Sequence, residues 1–273
     1  MRSNLLAWKT MGGDGKNRQE IEGNLMRFEE WKPFYNEIVQ IMGYDIEKDK
    51  ESARILQDLL FENKNYIKPH YLREIIEGRT VYIFGAGPSL ELALRYLSFH
   101  DGVMISADGA TSALLEFGLV PDIVVTDLDG CFEDIKRADV LGAYIVVHAH
   151  GDNIEKLKEY VPQLEKVLGT CQTEPLDIVY NFGGFTDGDR AVFLAEEFGA
   201  EEIILVGFDF GDVVGKWSKP HLKRHTRIWE SKRKKFEFAQ KLLEWLKKNG
   251  RAKIKRVVCH PVYYAMSECY IER

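Results

Sequence analysis

From Thr80 onward the chain repeats one pattern. A short run rich in β-branched and other apolar residues breaks at glycine or aspartate, and the pattern starts again. The runs are TVYIFGAG, GVMISADG, DIVVTDLDG, AYIVVHAHGD, DIVYNFGG, EIILVGFDFG and IKRVVCHP. Helical stretches such as SLELALRYL, GDNIEKLKEYV and GDRAVFLAEEFGA lie between most of them. Strands that alternate with helices predict an α/β fold, a mainly parallel sheet with helices on both faces. The strands read as continuous apolar runs, which suits a sheet buried on both sides.

The segment before Gly78 has a different period. FEEWKPFYNEIVQIMG spaces Phe28, Trp31, Phe34, Tyr35, Ile38, Ile41 and Met42 at helical steps, and KDKESARILQDLLFEN does the same with Ala53, Leu56, Leu59 and Leu60. A small N-terminal helical cap is expected over 26–78, ahead of an α/β catalytic domain over 79–273. Residues 1–25 carry Gly12, Gly13 and Gly15 and show no apolar period. They are expected to form a flexible extension upstream of Met26, without the apolar centre of a secretory signal.

Of the 273 residues 45% are apolar, enough for a substantial core. No apolar run reaches the roughly eighteen residues needed to span a membrane. The net charge of −6 argues against a general nucleic-acid binder. Within that acidic chain residues 216–235 are strongly basic, which suits a phosphorylated small molecule as well as a solvated helix face. The cysteines, Cys131, Cys171, Cys259 and Cys269, form no CxxC pair. That spacing speaks against a zinc ribbon or a disulfide scaffold and for a reducing, cytoplasmic setting.

In open parallel sheets ligands bind beyond the carboxyl ends of the strands, and the unusual residues fall there. Gly85 and Gly87 in GAGPSLE allow a tight turn and close approach to a ligand, and Ser89 is placed to cap the next helix. Asp108 ends the next strand. Asp127 and Asp129 end the one after, and strand alternation would send both the same way. Carboxylates so close repel unless a cation lies between them. Mg²⁺, which favours carboxylates, waters and phosphate oxygens, fits such a pair. His148 and His150 lack a third soft ligand for zinc, so hydrogen bonding to a substrate is the better expectation. Thr186, Asp187 and Arg190 open a helix, where Arg190 could reach a phosphate and Thr186 or Asp187 could cap. Asp209 ends a further strand just before the basic stretch.

FGAGPSLE, ADGATSALLEFGLVPDIVVTDLDG, HAHGDN, NFGGFTDGDRA and GFDFG, followed by the Lys/Arg segment, resemble the archaeal 6-hydroxymethyl-7,8-dihydropterin pyrophosphokinase family over residues 26–273. More distantly, Asp108-Gly109, Pro121-Asp122, Asp127-x-Asp129 and Thr186-Asp187 resemble thiamine pyrophosphokinases. Gly130 and the GFDFG block depart from the thiamine pattern, so the acceptor is expected to be a reduced hydroxymethylpterin.

The resemblance implies that the acceptor's hydroxymethyl oxygen attacks the β-phosphorus of ATP, releasing AMP. It implies Mg²⁺ on Asp127 and Asp129, with Asp108 a supporting ligand or an orienter of the acceptor. The phosphates would be met by Gly85, Gly87, Ser89, Thr186, Asp187 and one or more of Arg190, Lys216, Lys219, Lys223, Arg224 and Lys232. His148, His150, Asn181 and Asp209 are the acceptor candidates, with Phe182, Phe185 and Phe208 as apolar neighbours. A thiamine-type acceptor, a DxD glycosyltransferase and a nucleotide sensor without turnover remain alternatives, and a homo-oligomer is left open.

Overall fold

The structure is a computed structural model that describes residues 26–99, 101–260 and 268–272. The expected extension over 1–25 lies outside the described residues. Two long N-terminal helices, α1 (Phe28–Met42) and α2 (Ile46–Asn63), precede a short α3 (Pro69–Ile76). Strands β1 (Thr80–Phe84), β2 (Val103–Ala107), β3 (Ile123–Thr126) and β4 (Tyr144–Ala149) then alternate with α4 (Leu90–Tyr96), α5 (Ala110–Glu116) and α6 (Phe132–Val140). Next come α7 (Ile154–Tyr160), β5 (Val167–Cys171), β6 (Val179–Tyr180), α8 (Asp187–Glu197) and β7 (Glu202–Val206). A small ribbon of β8 (Val213–Val214) and β9 (Thr226–Arg227) leads into α9 (Glu230–Asn249), β10 (Lys253–His260) and β11 (Glu268–Glu272).

The main sheet runs β11-β10-β7-β1-β2-β3-β4-β5-β6. All its pairings are parallel except β10 with the edge strand β11. The chain starts at β1, winds out to β6, and returns to β7 on the other side of β1. That reversal opens a crevice beyond the carboxyl ends of β1 and β7.

Alternation along the strands sorts the core into two faces. Val103 and Ile105 of β2 and Ile123 and Val125 of β3 point to the side covered by α1, α3, α8 and α9, through Trp31, Ile76, Phe193 and Leu242 among others. Val124, Ile145 and Val147 point to the opposite side, under α2, α6 and α7. Phe84 and Val206 meet α4 and α5 on that same side. The helices of the 26–78 segment therefore pack on both faces of the sheet. Burying one such leucine or phenylalanine contributes about 1.5–3 kcal/mol, so this packing binds the segment firmly to the α/β body. Ile41 belongs to the expected apolar stripe of α1 yet is 46% exposed.

The cysteine spacing misleads in one place. Cys259 and Cys269 face each other across the antiparallel β10–β11 pair and form a disulfide. Strand register brings them together, which a search for CxxC cannot reveal. Cys131 and Cys171 are free thiols. Among the described residues no helix is long and apolar enough to cross a membrane.

Candidate active site

The carboxyl edge of the sheet carries a cleft of about 590 Å³, within the range of small-molecule sites. Its floor is acidic. Asp108 follows β2 directly, in the left-handed region at φ 44°. Its Oδ1 accepts hydrogen bonds from Thr126 Oγ1 at 2.7 Å and from the Gly130 amide at 2.9 Å. A Cβ on residue 130 would lie 2.8 Å from that oxygen, so the glycine lets the chain pass.

Strand alternation does not reach Asp127 and Asp129, although both line the cleft. β3 ends at Thr126, and Leu128 turns left-handed at φ 63° to bury its side chain beneath the sheet edge. The two carboxylates have different partners. Asp127 stays on the cleft floor, while Asp129 pairs with Lys156 of α7 and with Lys219. The companions of Asp127 are Asp108 and Asp187, the first residue of α8. One oxygen from each of these three lies within 4.8 Å of the others.

Crowding shows in their proton affinities. Burial, then the charge of Asp127, pushes Asp108 up to about 6. The same causes, in the same order, push Asp187 well above the usual carboxylate range. Burial acts to raise Asp127 too, but His150, Lys219 and Arg190 outweigh it and hold Asp127 below that range. A half-buried group of hard oxygen ligands in which two members resist ionisation is one that a divalent cation would satisfy.

Histidine geometry follows from the β4–α7 turn. His150 Nδ1 accepts from the Asp152 amide at 3.2 Å, so Nε2 carries the proton and faces Asp127 Oδ2 at 3.5 Å. Asn153 fixes the turn by donating to the carbonyls of Asp127 and His148 and accepting from the His150 amide. His148 is buried, bonded to Thr170 Oγ1 at 3.1 Å, and burial lowers its proton affinity. It lies below the cleft rather than in it.

The glycine-rich turn also makes room for a neighbouring loop. A Cβ on Gly87 would sit 2.4 Å from both Asp209 Oδ2 and the Gly207 carbonyl, and one on Gly85 would sit 2.9 Å from the same carbonyl. The close neighbour is thus the loop after β7, although both glycines still line the cleft. Ser89 does not cap α4 through its side chain. Its amide and hydroxyl both donate to Asp209, at 2.7 and 2.8 Å, and this clamp uses the carboxylate that was expected to meet an acceptor. Gly109 is similar: its Cβ would fall 1.9 Å from the Trp217 carbonyl. Residues 208–229 therefore form a flap seated on the strand ends.

Thr186 lines the cleft and also closes the helix start. Its amide and hydroxyl donate to Asp189, which also takes the Phe185 amide and so closes the start of α8. Arg190 is buried and spends Nη1 on Asp187 Oδ1 at 3.0 Å. Asn181 donates to the Thr173 carbonyl and lies outside the cleft. Lys216 pairs with Glu91 at 2.9 Å, and Lys223 and Arg224 are exposed away from the cleft lining.

Asp49 on α2 carried no signal in the sequence. It accepts from Tyr35 Oη at 2.6 Å, Gln172 Nε2 at 2.7 Å and the Gly151 amide at 2.7 Å. Trp31 Nε1 donates to the Gln172 carbonyl at 2.7 Å. Burial and the bond to Asp49 raise the Tyr35 hydroxyl's proton affinity. Through this network α1 and α2 hold the turn that carries His150.

Residues 55–215 match the family model described as 6-hydroxymethylpterin diphosphokinase MptE-like. The chain is 64% identical over 229 residues to a 6-hydroxymethyl-7,8-dihydropterin pyrophosphokinase of Pyrococcus furiosus, covering 84% of this chain and 98% of the relative. It is 48% identical over 234 residues to the protein of the same name in Methanocaldococcus jannaschii, covering 81% and 96%. Among solved structures, a thiamine pyrophosphokinase from Bacillus subtilis aligns with 65% of this chain and 60% of its own at 19% identity. Its TM-score of 0.33 is too low to bear on fold or function. With the pyrophosphokinase relatives matched over nearly their whole length, the chain belongs to the MptE-like 6-hydroxymethylpterin diphosphokinase family.

Proposed function

We propose that this protein moves the β,γ-diphosphate of ATP to the hydroxymethyl group of 6-hydroxymethyl-7,8-dihydropterin and releases AMP, in the cytoplasm. The observation that carries the reading is the convergence of Asp108, Asp127 and Asp187 on the cleft floor. These residues would hold Mg²⁺, which when bound supplies Lewis-acid stabilisation of phosphate charge.

The other residues prepare that centre. Thr126 and the Gly130 amide orient Asp108. His150 donates toward Asp127 and keeps it ionised. Arg190 orients Asp187. The flap over 208–229 lines one side of the cleft and brings Lys219 to the acids. In the transfer the acceptor oxygen forms a bond to the β-phosphorus. The bond from that phosphorus to the α,β-bridging oxygen breaks, AMP takes the bridging oxygen, and the hydroxyl proton passes to solvent water. Positioning and charge stabilisation dominate such chemistry, so no covalent nucleophile is needed.

The test is an assay with purified protein, ATP, Mg²⁺ and the reduced hydroxymethylpterin, with thiamine as the control acceptor. AMP formed in step with consumption of the pterin is expected. ADP as the product, or AMP formed only with thiamine, overturns the reading.

A further inference from the structure

The same cleft holds a positive counterpart to its acids. Lys232 and Lys235 stand one turn apart at the start of α9 and both line the cleft. Lys232 Nζ lies 5.3 Å from the centre of the Phe236 ring, and Lys235 Nζ lies 5.9 Å from that of Phe185. Among the described residues neither has a carboxylate within ion-pair distance. Lys219 and Arg190, which also line the cleft, do have such partners. Burial, then the charges of Lys235 and Lys219, pushes Lys232 down to about 8, while Asp187 and Asp108 act on it from the acid centre. Ammonium groups gathered against aromatic faces without a counter-ion repel one another, as the carboxylates beside them do. α9 also begins at Trp229 with no side-chain cap, and Trp229, Ser231 and Lys232 of this first turn line the cleft.

We propose that Lys232 and Lys235, with the uncapped first turn of α9, bind the polyphosphate chain of the nucleotide. The inference rests on the reading of this cleft as a metal–nucleotide site, and it places the phosphates between the acid floor and α9. Unpaired cations and a cation-seeking acid group, side by side, match a ligand that carries a divalent ion on a run of anionic oxygens. Lys219 then has a shared role, held by Asp129 at the flap yet acting electrostatically on the same cleft.

The experiment measures binding by calorimetry. Inorganic triphosphate is the probe in the presence of EDTA, and ATP with Mg²⁺ is the second. Wild type is compared with Lys232→Met, Lys235→Gln, the double variant, and Lys234→Gln, a control residue that pairs with Glu230 and is absent from the cleft lining. Each single cleft variant is expected to weaken triphosphate binding by about ten-fold or more, the weight of a charge-assisted hydrogen bond. The control is expected to bind as wild type does. Melting of the ligand-free protein supplies the second readout: Lys232→Met should melt at or above the wild-type temperature, because a crowded cation has been removed. Unchanged triphosphate and Mg–ATP affinity in the double variant overturns the inference, as does an equal loss in Lys234→Gln. Affinity lost only in the cleft variants, in a protein that releases ADP rather than AMP, supports this site while refuting diphosphate transfer.

Discussion

Replacing Asp108 with asparagine should stabilise the metal-free protein at neutral pH, even though it damages the active centre. The amide keeps an Oδ1 acceptor for Thr126 and Gly130 and removes only the charge. In the folded state the Asp108 carboxyl is pushed from 3.8 to about 6, first by burial and then by Asp127. A raised carboxyl binds its proton more tightly folded than unfolded, so stability falls as pH rises through that window, and the full penalty applies above it. At about 1.4 kcal/mol per tenfold in proton affinity, the penalty at pH 7.5 is about 3 kcal/mol. For a chain of this size that corresponds to a rise in Tm of about 5–10 °C in Asp108→Asn. Towards pH 4 the wild-type carboxyl is protonated as well, and the difference should shrink below about 1 kcal/mol. Thermal melts at several pH values in EDTA provide the assay. Added Mg²⁺ should raise the wild-type Tm and leave the variant nearly unchanged. An Asp108→Asn protein that melts below wild type at pH 7.5, or keeps its advantage at pH 4, refutes the view of the floor as a crowded acid centre.

Gly109→Ala tests the flap. The backbone at 109 suits alanine, but its Cβ would meet the Trp217 carbonyl at 1.9 Å; lifting the flap should cost about 1–3 kcal/mol and lower kcat/KM at least ten-fold with the fold retained by circular dichroism. Asp49→Ala strips the partner from Tyr35, Gln172 and Gly151; it should destabilise the protein by about 3 kcal/mol in urea unfolding. Asp129→Asn should leave divalent-ion affinity in the ligand-free protein within a few-fold of wild type, because Asp129 is engaged by Lys156 and Lys219, whereas Asp187→Asn should weaken it at least ten-fold. Fluorescence-detected Mn²⁺ titration separates the two.

Most of the sheet was readable because its strands carry Val and Ile in unbroken runs ending at glycine or aspartate. β5 escaped because Gly169 and Thr170 interrupt its apolar run. The structure explains that glycine: a Cβ there would lie 2.8 Å from Leu60 of α2 and 3.2 Å from Val179 of β6. The helices of the 26–78 segment were visible from their period, but no pattern within them says that α1 and α2 cover opposite faces of the sheet. The acid site was legible in its composition, but the strand alternation used to place it does not hold. Alternation would have held for Asp127 and Asp129 had β3 run on, but it stops at Thr126 and Leu128 reverses the chain. Asp187 reads from the sequence as a helix-start and phosphate-side residue and not as a partner of the acids, because a tertiary contact, not sequence spacing, brings α8 to Asp108 and Asp127. The basic stretch hid a boundary: residues 216–229 belong to the flap, while Lys232 and Lys235 open α9, where helical spacing puts them on one face.

The central claim is that Asp108, Asp127 and Asp187 together hold the divalent ion that presents ATP. Anomalous diffraction from crystals grown with Mn²⁺ and a non-hydrolysable ATP analogue tests it most directly. The account predicts a manganese peak bonded to oxygens of those residues and to the nucleotide's phosphates. A peak between Asp127 and Asp129 with Asp187 outside its coordination sphere, or a nucleotide bound with no metal at the cleft floor, would contradict it.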